Sequence, residues 1–262
     1  IDTITYNELR ELSYMGATVL HEDAIFPVRL MGIPINIRNT NKPEDPGTMI
    51  VATAEDAGKN VITGIAGKPG FSSITIEKDM MNSEVGFTRK VLSVLESEGI
   101  SFEHMPSGID TLSIILATPV LEGKKERILR AVCDAVSPDS VFVEDSIALI
   151  AVVGRGMRST KGTAARTLDA VAVAGINLVM IDQGSSELNI ILGVKEAELQ
   201  KTMRGYVKGL WKEIHRTAEE AVQQGAALGI EAQASLLDDA VRGIRLSIRP
   251  SFKSMFARTQ DE

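Results

Sequence analysis

Apolar positions along the chain change period in a fixed order, and that order occurs twice. The apolar stretch from Phe71 to Met80 predicts a strand, a Gly-containing loop follows, and Phe87, Val91, Val94 and Leu95 then recur at helical spacing. Gly99 stops that helix, as a residue just past a helix end does. Two short strands joined by a turn come next, Ser101 to Met105 and Thr111 to Leu116, then a helix over Lys125 to Val136 and a closing strand over Ser140 to Val143. The second pass predicts a strand over Ile147 to Val153 and a helix whose apolar side carries Ala164, Leu168, Val171 and Ala172, stopped by Gly175. Strands over Asn177 to Ile181 and Glu187 to Leu192 follow, and a last helix over Lys195 to Ile214 carries Leu199, Met203, Val207, Leu210, Trp211 and Ile214 on one stripe.

The two passes register at one offset, 76 positions. It aligns Gly86 with Gly162, Gly99-Ile100-Ser101 with Gly175-Ile176-Asn177, Ile74 and Ile76 with Ile150 and Val152, and the block from Thr111 to Leu116 with that from Glu187 to Leu192. Four blocks in one register make an internal repeat. Each copy reads β-α-β-β-α, with a final strand in the first, so the fold class is α/β (α+β) with tandem ferredoxin-like βαββαβ units. No final strand follows the second copy, and the apolar segment Asn60 to Ile65, lying before the first, is the candidate to replace it.

Residues 1–58 stand outside the repeat. Thr5-Tyr6-Asn7-Glu8 has capping-box spacing for a helix through Met15, a second helix is expected over Asp23 to Met31, and Ile35-Asn36-Ile37 alternates like a strand before the turn or linker Asn41 to Gly47. The chain therefore divides into 1–58, a first repeat over 59–143, a second over 144–211, and an unassigned tail over 212–262. In the tail Arg242, Arg245, Arg249, Lys253 and Arg258 occur with no acidic residue from Val241 to Gln260, which reads as a solvated, partly helical or disordered end.

Composition narrows the function. A net charge of −7 argues against nonspecific nucleic-acid binding, which needs a basic surface, and a small neutral or zwitterionic ligand suits it better. Apolar runs such as Ile147 to Val153 are too short to span a bilayer and no signal peptide is evident, so no membrane role and a cytoplasmic address are expected. The single cysteine, Cys133, suits a reducing compartment. Because the sequence starts at Ile1 as if within a fold, it is expected to be a piece of a longer protein.

Several tempting motifs fail on spacing. The run Gly154 to Thr163 sits between a strand and a helix, but Lys161 precedes Gly162 where a Walker loop needs the reverse, and Ser159 holds a position where a dinucleotide fingerprint needs Gly. It reads instead as a strand-to-helix loop whose backbone N–H groups can receive a carboxylate, with Asp79 to Phe87 as its counterpart. His21, His104 and His215 are scattered, so no metal site is expected. Glu103 and Asp110 could be paired as acid and base, yet a ligand-contacting or solvated role is preferred, with contact assigned to Glu103.

The segments Leu12 to His21, Gly32 to Ile35, and Asn39-Thr40 through Pro46-Gly47-Thr48 resemble the end of the catalytic domain of aspartate kinases. Gln183-Gly184-Ser185-Ser186-Glu187-Leu188-Asn189-Ile190, after Gly175-Ile176-Asn177, is similar to the signature turn of the second ACT domain in that family, and Met105 to Thr111 is similar to its lysine-sensitive branch. The resemblance covers about residues 5 to 210. It implies tandem ACT domains after a catalytic-domain fragment, within a parent that phosphorylates the side-chain carboxylate of L-aspartate with ATP in lysine, threonine and methionine biosynthesis. The N-terminal kinase half is not in this sequence, so the chain alone is expected to hold no catalytic residue and no cofactor, with ATP and Mg2+ belonging to the parent. A free-standing ACT-type amino-acid sensor acting on a separate partner is the alternative.

The resemblance also implies a homodimer through ACT domains and an amino-acid effector, L-lysine, in the first repeat. Its site is expected at Met81, Asn82, Ser83, Glu84, Val85, Gly86, Phe87, Phe102, Glu103 and Ser107. N–H groups near Gly86 and Phe87 would take the α-carboxylate, Ser107 and strand carbonyls the α-ammonium, Glu103 one ammonium, and Glu84 the side-chain end. A possible second effector site comprises Gly162, Thr163, Asn177, Gln183 and Ser185, and Lys42 is the one residue expected to approach nucleotide.

Overall fold

The structure, a computed structural model, describes residues 1–17, 20, 22–54 and 61–205. His21, Asn60, His215, the C-terminal part of the last expected helix and the 212–262 tail lie outside the described residues. The elements run β1 (Thr3–Thr5), α1 (Tyr6–Tyr14), α2 (Glu22–Leu30), β2 (Ile35–Ile37), β3 (Thr48–Val51), β4 (Gly64–Glu77), α3 (Phe87–Ser97), β5 (Thr111–Ala117), α4 (Lys125–Val136), β6 (Ser140–Val153), α5 (Thr163–Val173), β7 (Met180–Asp182) and β8 (Asn189–Lys195). A 3-10 turn at Glu196–Glu198 leads into a helix from 199 that is described through 205. β1, β3 and β2 form a small sheet in the N-terminal segment, and the other strands form one sheet in the order β5-β4-β6-β8-β7.

Two pairs of expected strands are each one long strand. β4 and β6 have 14 residues apiece and run antiparallel. The second half of β4, Phe71–Glu77, lies between β5 and the start of β6, completing the first repeat. Its first half, Gly64–Lys68, pairs with Val153–Leu149 and supplies the final strand that the second repeat lacks. That strand begins four residues later than Asn60, and β4 ends at Glu77 because Met80 turns left-handed at φ 61°. Register shifts between Lys68 and Ser73 bend the strand where the repeats meet, and Gly70 at φ 91° provides the bend. The buried Ser72 hydroxyl donates to Asp145 Oδ1 at 2.7 Å beside this bulge, and Lys125 Nζ holds the other carboxylate oxygen at 3.0 Å.

The remaining differences concern edges. The segment expected as a strand over Ser101 to Met105 makes one isolated bridge, His104 to Ile115, and a second from Ser107 to Leu112 lies just beyond it, because Pro106 between them lacks an amide proton and breaks the ladder. The strand expected over Asn177 to Ile181 is Met180–Asp182, and β1 and β3 were not expected.

The repeat is reproduced in three dimensions. α3 and α5 start and stop 76 positions apart, each opened by a left-handed glycine, Gly86 at φ 80° and Gly162 at φ 81°. In α5 the buried positions are Thr163, Thr167 and Val171, matching Phe87, Val91 and Leu95, whereas Ala164 and Ala172 point outward. The expected apolar stripe was displaced because two inward residues are threonines. Threonine has nearly the shape of valine, and the Thr163 hydroxyl satisfies itself on Thr160 O at 2.9 Å.

Three cores result. Ile74, Ile76, Leu112 and Ile114 pack under α3 and α4 in the first repeat, and Ile150, Val152, Ile190 and Leu192 pack under Val171 and Leu199 in the second. The opposite face of the sheet, with Phe71, Ile115, Leu149, Ala151 and Ile191, packs against Tyr6, Leu9, Leu12 and Ile50 of the N-terminal segment. Ile115 and Ile191 are again 76 apart, so both repeats give the same residue to the shared core. Each such side chain contributes about 1.5–3 kcal/mol by leaving water.

α1 is fastened there by one carboxylate. Thr5 and Glu8 close the capping box, with Thr5 N–H donating to Glu8 Oε2 at 2.9 Å. The same carboxylate accepts Thr63 Oγ1 at 2.5 Å, Arg155 N–H at 3.0 Å and Arg155 Nη1 at 2.9 Å, although Glu8 is 0% exposed. Burial pushes its pKa up, but hydrogen bonds from Thr63, Thr5 and Arg155 outweigh that and hold it below the ordinary 4.5. Glu8 therefore stabilises the fold above its unfolded-state pKa, and this contribution is lost as pH falls through the lower folded value. Glu8→Ala is expected to reduce unfolding free energy by about 3 kcal/mol at pH 7. Urea titrations across pH should show the gap to wild type narrowing at acid pH.

Candidate effector-binding site

Each repeat carries a loop between its first strand and first helix, 78–87 and 154–163, at equivalent positions. The first is tied across to the 108–111 turn: Lys78 N–H donates to Asp110 O at 2.9 Å, Met80 N–H to Asp110 Oδ1 at 2.9 Å, and Asn82 N–H to Ile109 O at 3.2 Å. Asp110 is thus a backbone brace for this loop. Met81–Ser83 form a 3-10 turn that buries Met81, and Phe87 is buried at the start of α3, so both side chains serve the core of the first repeat. Asn82 and Ser83 are exposed, and Val85 is 96% exposed.

Glu84 is engaged. Lys78 Nζ and Lys90 Nζ each lie 2.6 Å from its carboxylate, one on each oxygen. The hydrogen bond from Lys78, then that from Lys90, holds its pKa below the ordinary carboxylate value. A ligand ammonium at Glu84 would have to displace a lysine. The Phe87 N–H is also used, by Glu84 O at 3.2 Å, so a ligand carboxylate would fall to neighbouring amides of the first turn.

On the edge segment beside β5, Phe102 is half-exposed, Ser107 is exposed, and Glu103 is part-buried with its N–H on Ile115 O at 2.8 Å. The Glu103 carboxylate accepts the phenol of Tyr14, at the end of α1. Lys68 Nζ stands 5.3 Å from the centre of the Tyr14 ring and 5.6 Å from that of Phe71. No spacing in the sequence links Tyr14 to Glu103, 89 positions away. The same holds for His104 Nδ1, 2.8 Å from Asp182 Oδ2, a contact that joins the edges of the two repeats.

In the second repeat Arg155–Arg158 make the 3-10 turn and Met157 is buried. Gly162, Asn177, Gln183 and Ser185 are exposed, while Thr163 is buried with its hydroxyl committed to Thr160 O. Gly154 has no room for a side chain, since a Cβ there would sit 2.2 Å from Val61 O. The repeats differ chemically at matching places: Lys78 corresponds to Gly154, Glu84 to Thr160, and Glu103 to Val179. Only the first offers a carboxylate on its edge segment at that position.

Lys42 is exposed on the 39–46 turn, with its N–H on Asn39 O at 3.0 Å. Among the described residues no three His, Cys, Asp or Glu side chains converge on a metal position, and no helix is long and apolar enough to cross a membrane.

Sequence and structure comparisons define the class first. Residues 150–205 match the ACT domain model, so the second repeat carries an ACT domain. Aspartokinase 3 of Bacillus subtilis is 44% identical over 205 residues, covering 78% of this chain and 45% of that enzyme. The crystal structure of Clostridium acetobutylicum aspartate kinase superposes with a TM-score of 0.75 at 51% identity, over 80% of this chain and 48% of that one. Escherichia coli aspartokinase III, solved with aspartate and ADP as its R-state, shares the fold at a TM-score of 0.69 and 21% identity over 80% of this chain and 47% of that one, and it has also been solved with lysine and aspartate as its T-state. The chain is an allosteric regulatory region of the aspartokinase family, and it spans about half the length of these relatives.

The two loops can be compared directly by mutation. Gly86→Ala and Gly162→Ala meet no clash and only the left-handed backbone, so each should lose about 1–2 kcal/mol. Gly154→Ala meets backbone as well and should lose more than either, by denaturant midpoint.

Proposed function

We propose that this chain is the effector-sensing part of an enzyme that phosphorylates the side-chain carboxylate of L-aspartate with ATP, and that L-lysine is the feedback effector of the first repeat. Residues 1–58 are read as the end of the catalytic domain. The repeats at 59–143 and 144–211 are read as two ACT domains that exchange strand Gly64–Lys68. ATP and Mg2+ belong to the catalytic domain, the pair of repeats is the expected homodimer surface, and the cytoplasm is the compartment of this chemistry.

The observation that carries this reading is the packing of α1 across the face shared by both repeats, locked by Glu8. A sensor and a catalytic-type segment joined through a common core can exchange free energy, which allostery requires. An apolar stripe on and after α2, with Phe26, Leu30, Met31 and Ile33 exposed, supports it as a surface for the rest of a catalytic domain. A free-standing sensor has no use for that stripe. The lysine complex of the Escherichia coli enzyme supports the choice of effector.

In the site as proposed, Glu103 takes the effector's ammonium, the exposed edge near Phe102 and Ser107 forms one wall, and Asn82 to Gly86 form the other. Glu84 orders this wall by pairing with Lys78 and Lys90. Glu103→Ala should weaken L-lysine binding about ten- to a hundred-fold, as expected when a hydrogen bond to a charged group is lost. Calorimetry with lysine and threonine, each titrated into wild type and variant, checks this; saturable heat from threonine alone would overturn the lysine assignment.

A further inference from the structure

Helix α1 touches both repeats, and its two ends are held differently. At the N-terminal end Glu8 is fully buried and reaches Thr63 and Arg155, and one turn on Glu11 Oε2 accepts Asn189 Nδ2 at 2.7 Å, so this end is fixed to the second repeat. At the C-terminal end Tyr14 is 45% exposed and its phenol donates to Glu103 of the first repeat. Between them Leu9 and Leu12 are buried in the shared core. The anchored end is thus the one remote from the proposed effector, and the solvent-accessible end shares a carboxylate with it.

We propose that Tyr14 and the effector's ammonium compete for the Glu103 carboxylate, which makes the last turn of α1 the element that carries occupancy of the first repeat to the N-terminal segment. This rests on the reading that Glu103 binds the effector. Two donors on one carboxylate draw on the same negative charge, so each leaves the other a weaker acceptor. Coupling between two sites is reciprocal: if lysine loosens the Tyr14 contact, the contact must weaken lysine binding by the same factor. Loosening is possible without unfolding because the Glu8 end stays pinned, so the helix can pivot at its far end. Lys68 keeps the ring close by through its cation–π contact.

Tyr14→Phe tests this on the full chain, since it removes the hydroxyl and leaves the ring for Lys68. Calorimetry with L-lysine should show binding about three- to ten-fold tighter than wild type. Hydrogen exchange of the amides from Glu11 to Gly16 should respond to lysine in wild type and lose that response in Tyr14→Phe. A purely structural tyrosine would not tighten binding. Unchanged or weaker lysine affinity in Tyr14→Phe, or tighter binding with the exchange response intact, overturns the relay while the site assignment stands. Absence of saturable lysine heat in wild type, or equal affinity in Glu103→Ala, overturns the site assignment and the competition with it.

Discussion

Hydrogen bonds between β4 and β6 run nearly the full length of both 14-residue strands, and the other described elements take their places from that ladder. β5 adds to the outer edge of β4 at one end, and β8 to the outer edge of β6 at the other. Because the pair is antiparallel, the start of each long strand serves one repeat and its end the other. The two repeats cannot be pulled apart without breaking the same strands, and the interrupted register around Gly70 is where they bend against each other. A ligand that shifts one repeat therefore strains a strand belonging to both.

The sheet has two faces, and the repeats use them differently. One face is private: each repeat covers it with its own helices and its own core. The other is common, and α1 with the small N-terminal sheet covers it. Hydrophobic packing supplies most of the energy of that contact but fixes direction poorly. The Glu8 carboxylate supplies direction, because its partners Thr5, Thr63 and Arg155 come from three separate segments and must all arrive together. Burying a charge is tolerable only when it is satisfied in this way.

Duplication left two loops that meet their helices alike and differ in chemistry. Left-handed glycines open α3 and α5 at nearly identical angles, yet the first loop is braced by Asp110 and charged by Glu84, Lys78 and Lys90, while the second is pressed against Val61 at Gly154. The first repeat retains a part-buried carboxylate, Glu103, on its edge segment; the second has Val179 there and turns inward to the shared core. One copy is built around polar contacts near its surface and the other around its junction with the N-terminal segment.

Local and periodic features were legible in the sequence by itself. The 76-residue offset, the glycines that open and close the helices, the span of α4 and the capping box of α1 all depend on residues near one another in the chain, where backbone geometry and side-chain period act directly. The two strand-to-helix loops were legible for the same reason, as was the need for a replacement strand in the second repeat. Their partners were not. That Glu84 is occupied by two lysines, that Glu103 meets Tyr14, that Glu8 of a capping box also holds Arg155, and that β4 and β6 continue from one repeat into the next were decided only by the tertiary structure. A sequence pattern states which face of an element is apolar, but the identity of a charged group's partner depends on the packing of segments distant in the chain, and no local period encodes it.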